Sequence, residues 1–91
     1  MNQVTIKAGE VGDIDLGNSR AMTIAATGGT AKVYVEYRRD NGPWSSAFRV
    51  DSGLRAPLQV SEGRPVTLEK RQLSSEHLRV SSADANIIVQ F

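Results

Sequence analysis

Ninety-one residues without a cysteine, at a formal net charge of +1, exclude a disulfide scaffold and a thiolate-held zinc site. The near balance of 11 basic and 10 acidic residues also excludes the strongly basic surface expected of a dedicated nucleic-acid binder. Leucine, isoleucine, valine and phenylalanine make up 22 of the 91 residues, which is enough apolar mass for one folded domain spanning 1–91. A domain of this size buries only about 60–65% of the surface its unfolded chain exposes, so its core is thin and partner subunits would add useful burial.

In chain order, strand signals fall at residues 3–7, 13–16, 21–27, 31–38, 47–50, 57–61, 66–70, 78–82 and 86–91. Alternation identifies them: Val4 with Ile6, Ile14 with Leu16, Met22 with Ile24, Leu58 with Val60, Val66 with Leu68 and Leu78 with Val80 each share a face. The central run sends Ala31, Val33, Val35 and Tyr37 one way and Lys32, Tyr34, Glu36 and Arg38 the other. Turn chemistry fills the gaps at Gly17-Asn18, Gly28-Gly29, Asn41-Gly42, Ser52-Gly53, Glu62-Gly63 and Ala83-Asp84. The spacing predicts an all-β fold, a small antiparallel β-sandwich of about eight strands built from hairpins, with a β-barrel as the alternative. Hairpins are expected at Thr27-Gly28-Gly29-Thr30 and at Asp40-Asn41-Gly42. Between Leu68 and Leu78 the leucines do not alternate, which reads as a strand ending near Lys70 and then a polar connection or a short helical turn. Neither a basic-then-apolar leader nor an apolar run of roughly 18 residues is present, so no secretion signal and no membrane contact are expected.

Catalytic, cofactor and metal chemistry find no constellation. His77 is the only histidine and has no nucleophile partner in a recognisable motif. Asp13 and Asp15, with Glu10 nearby, could offer oxygen ligands to calcium but lack the loop spacing of such a site; a solvated strand face accounts for them. Gly28-Gly29 precedes a strand rather than a helix, so no helix N-terminus waits for a phosphate. The single tryptophan, Trp44, follows Arg38 and Arg39 and precedes Phe48. It either caps one end of the core, anchors a partner, or stacks on a sugar with Tyr34 as a second platform. Arginine outnumbers lysine eight to three, a bias shared by protein interfaces and by exposed strand faces. The last strand puts Ile87, Val89 and Phe91 on one face and Ile88 on the other, so it must be paired in the core or covered by a neighbouring subunit.

From Gly17-Asn18-Ser19-Arg20 through Ala21-Met22-Thr23-Ile24 and Gly28-Gly29-Thr30, the chain runs on to Val33-Tyr34-Val35, Asn41-Gly42 and Trp44. With the closing Leu78-Arg79-Val80-Ser81-Ser82, this series is similar to small β-rich virion proteins of tailed bacteriophages and prophages. The likeness is one of strand-and-turn style and transfers no functional residues. It implies a non-enzymatic structural role without a cofactor: capsid decoration, a head fibre or a tail component, made in the host cytoplasm and carried in the virion. It further implies a symmetric homo-oligomer, a trimer among the candidates, that binds other virion proteins. Arg38, Arg39, Trp44, Phe48, Ile88 and Phe91 are the expected contact residues. A carbohydrate-binding sandwich is the alternative.

Overall fold

The two halves of the chain pair with each other end against end. In the computed structural model, which describes residues 2–91, nine strands form: β1 (Gln3–Ile6), β2 (Val11–Asp15), β3 (Ala21–Ala26), β4 (Thr30–Tyr37), β5 (Ser45–Ser46), β6 (Leu58–Ser61), β7 (Val66–Glu69), β8 (His77–Ser82) and β9 (Ile87–Gln90). Gln3 faces Gln90, Val11 faces Ser81, Ala21 faces Glu69 and Thr30 faces Ser61, all antiparallel. Backbone bonds carry the same ribbon around its corners. Gly9 N–H donates to the Ser82 carbonyl at 2.8 Å, Leu16 to Glu76 at 2.9 Å, Lys70 to Arg20 at 2.7 Å and Glu62 to Gly29 at 2.8 Å. The chain is therefore one long hairpin folded over on itself, with its tip near residue 45.

Pairing of β3 with β9 and of β4 with β8 then closes two sheets, ordered β1-β9-β3-β7 and β2-β8-β4-β5, with β6 also on β4. Leaving out the two-residue β5, nested pairs in these two orders are the topology of the double-sheet jelly roll. Between the sheets lie Met22, Ile24, Val33, Val35, Val60, Leu68, Val80, Ile87 and Val89, all fully buried. They occupy the inward positions that the alternation assigns, so periodicity decides which face is covered. Among the described residues no helix is long and apolar enough to cross a membrane.

Two expectations change, at Gly28-Gly29 and at residues 47–50, and two others hold. Gly28-Gly29 does not join a hairpin: β3 and β4 lie in different sheets, and the glycines turn the chain across the sandwich. Only the Asp40-Asn41-Gly42 turn joins paired neighbours, β4 and β5, with Glu36 opposite Ser46 and Tyr37 opposite Ser45. The strand expected at 47–50 gives way to β5 just before it, a single bridge from Phe48 to Leu73, and a 3-10 turn at Val50–Ser52. The stretch after β7, expected as a polar connection or a short helical turn, holds a 3-10 turn at Lys70–Gln72, closed by reciprocal bonds between Glu69 and Gln72.

Two small features hold the corners. Ser82, only 1% exposed, donates its hydroxyl to Asp84 Oδ1 at 2.7 Å, and Lys32 N–H donates to the same oxygen at 3.1 Å. These bonds, the serine's first, hold the Asp84 carboxyl below its ordinary value of 3.8. A lowered native pKa contributes stability above 3.8 that is withdrawn as the pH falls through the native value. At Gly12, a Cβ would sit 2.7 Å from Cγ1 of Ile6, itself 2% exposed and unable to swing away.

Asp84→Asn should lower the melting temperature at neutral pH, with the gap to wild type closing below pH 3.8; a gap that persists in acid contradicts the charged latch. Gly12→Ala should cost about 1–3 kcal/mol in urea unfolding, as overpacking does. Gly28→Ala, with open space at its Cβ, serves as the control and should stay within about 0.5 kcal/mol of wild type. Equal effects of the two substitutions would refute the close approach at Gly12.

Candidate protein-binding face

Strands β2, β8 and β4 present their outward side chains as rows across the five-stranded sheet. One row is Val11, Ser81 and Tyr34; the next is Asp13, Arg79 and Glu36; the third pairs Asp15 with His77. Val11 and Tyr34 are 54% and 41% exposed, so the first row offers two apolar surfaces on either side of a serine. In the second row, Arg79 Nε lies 3.1 Å from Glu36 Oε1, with both side chains less than a third exposed.

The tip hairpin adds the tryptophan to this face. Gly42 N–H donates to the Arg39 carbonyl at 2.9 Å and Asp40 takes a left-handed φ of 53°, which turns the chain back along β4. Trp44 is half-buried and lies outside the core cluster. The Arg79 guanidinium stands 4.2 Å from the ring centroid and that of Arg38 stands 4.9 Å away. A cation over an indole contributes about 0.5–1 kcal/mol at exposed sites. Glu36 offsets one of the two positive charges, so the ring is pinned between strand β8 and the end of β4.

The expected contact residues separate into groups. Arg38, Arg39 and Trp44 gather at the tip hairpin, and Arg39 lines a shallow groove with Tyr37, Gly42 and Pro43. Phe48 lies behind them in the core at 8% exposure, where its backbone bridges to Leu73. Ile88 is half-buried on the outer face of the other sheet, opposite Thr5 and Ala25. Phe91 packs partly against the core while its backbone exchanges two bonds with Asn2, at 2.7 and 2.9 Å. With β1 on one side and β3 on the other, the last strand is central, and its apolar residues do not form an open edge. Arg79, Glu36 and Val11 belong to the face and went unread as site residues. Their outward alternation is visible in the sequence, but only the β4–β8 and β2–β8 registers bring them beside Trp44.

Asp13 and Asp15 do share one face, as their spacing requires, yet they join different neighbours. Asp15 Oδ1 is 3.6 Å from His77 Nδ1, and Glu76 Oε1 is 3.8 Å from His77 Nε2, while Lys70 Nζ sits 3.1 Å from the other Glu76 oxygen. Both imidazole nitrogens thus face carboxylates, one of which is already bound to an ammonium. The arrangement is an exposed charge cluster. No protein-family model, curated protein or solved structure matches this chain.

As the sole tryptophan, Trp44 reports its own cover by fluorescence. Arg79→Ala should shift its emission to the red more than Arg38→Ala does, and a double-mutant cycle between Trp44 and Arg79 should give about 0.5–1 kcal/mol. Unchanged emission in both variants would mean that neither guanidinium covers the ring.

Proposed function

We propose that this chain is a structural protein of a tailed-phage virion, a capsid-decoration, head-fibre or tail component, acting through self-association and attachment to other virion proteins. The observation that carries the reading is the distribution of aromatic residues. Of the five aromatics Phe48 is buried in the core and Tyr37 and Phe91 pack partly against it, whereas Trp44 and Tyr34 lie on the outer face of the five-stranded sheet. Tryptophan, tyrosine and arginine are the residues that most often dominate protein-binding energetics. Here they are held in one place: Trp44 under Arg79 and Arg38, with Tyr34 and Val11 one row away. Pre-organisation of that kind lowers the ordering cost of binding.

The fold is compatible with this role without establishing it. Double-sheet jelly rolls recur in capsid proteins, lectins and cupins, so the topology alone selects no function. The strand-and-turn likeness to small virion proteins supplies the phage context.

Mass spectrometry of phage particles purified by density gradient from the encoding strain should recover this chain from intact virions. Finding it in the lysate while intact particles lack it would overturn the reading.

A further inference from the structure

The two edges of the five-stranded sheet differ in charge. Strand β2 forms one edge, and the β4–β5 tip hairpin lies at the other. On the β2 side Glu10, Asp13 and Asp15 are all exposed, with no basic residue among positions 10–15. On the tip side, residues 38–55 hold four exposed arginines against two aspartates. One of those aspartates, Asp51, is already taken up by Arg49 at 3.3 Å. Among the described residues, neither Arg39 nor Glu10 nor Asp13 has an ion-pair partner.

Shape follows charge. Arg39 and Arg49 flank a groove of about 470 Å³ whose rim is Val50, 93% exposed. An apolar side chain so open, set between the unpaired Arg39 and the Arg49–Asp51 pair, suits a partner that brings both a carboxylate and an apolar contact. Strand β2 has that composition: Val11 stands between Glu10 and Asp13, and with β8 as its only neighbour one row of its backbone groups is unpaired.

We propose that the arginine-lined groove at the tip receives the acidic β2 edge of a second copy of this chain. This deepens the assembly reading above and rests on it. Pairing two tips would set Arg39 and Arg49 against their own kind, and pairing two β2 edges would set carboxylates together, both of which repel. Contact between unlike surfaces is head-to-tail, so successive copies build a closed ring or an open filament according to the rotation between them. Trp44 and Tyr34 stay outside this contact, free for a different virion protein, while Val11 and Asp13 at the other end of their rows enter it.

Size-exclusion chromatography with light scattering tests the contact. Wild type should run as at least three copies of the 9.9 kDa chain, since a head-to-tail contact leaves both ends of a dimer open. Arg39→Glu with Arg49→Glu, and Glu10→Lys with Asp13→Lys, should each fall to the single-chain mass while keeping the wild-type circular dichroism. Mixed in equal amounts, the two variants should associate again, because each supplies the surface the other has lost. Asp15 is left unchanged because its carboxylate accepts the Gly17 N–H at 3.0 Å. A monomeric or strictly dimeric wild type overturns the proposal, as does a mixture that stays monomeric. Variants that keep the wild-type mass overturn it too, but show assembly through another surface and leave the virion reading intact.

Discussion

Strand β9 sits at the centre of its sheet because the first strand and the third both pair with it, and β8 takes the same position in the other sheet. That nesting of the carboxy-terminal half between strands of the amino-terminal half is the constraint on which the rest depends. It brings Val89 beside Ile24 and Val80 beside Val35, four residues with no exposed surface. It also fixes the outer faces, because a slip of one residue in the β4–β8 register would exchange Glu36 and Tyr34 for Val35. Arg79 meets both Glu36 and Trp44 only in the observed register.

A core assembled mainly from valine, isoleucine and leucine suits a small sandwich, since branched side chains pack well between pleated sheets. Placing the large aromatics elsewhere has a consequence for function. Tyr34 and Trp44 contribute little to the interior, and their apolar area remains available to a partner. The tip, by contrast, is fastened by few groups: Ala47 N–H to the Val35 carbonyl at 2.9 Å, Ser74 N–H to Ala47 at 2.7 Å, and the bridge from Phe48 to Leu73. Those bonds hold the arginine groove at one edge of the sheet, opposite the acidic strand.

Much of the architecture was legible in the sequence because burial on one face imposes a period of two. The runs around Ile24, Val33, Leu68, Val80 and Val89 announce both their strands and their inward residues. Connectivity was not legible. Gly28-Gly29 suits a tight hairpin as well as it suits an arch between sheets, and local turn chemistry does not distinguish them. Phe48 reads as a strand residue from its neighbours, yet its backbone is held by Leu73, a partner 25 positions away. The candidate face was half legible: Arg38, Arg39 and Trp44 are close in sequence, whereas Arg79 joins them only through a pairing between distant strands. Ile88 and Phe91 carry the apolar character of a contact strand; pairing with β1 and β3 makes that strand central, while the Ile88 side chain stays half-buried on the outer face.

Cross-strand proton contacts measured by nuclear magnetic resonance test the nested ribbon most directly. Alpha-proton and amide contacts should link β9 to both β1 and β3, and β8 to both β2 and β4. Contacts zipping β3 to β4 across Gly28-Gly29, with β9 touching a single neighbour, would contradict the folded-over hairpin and with it the placement of every surface described above.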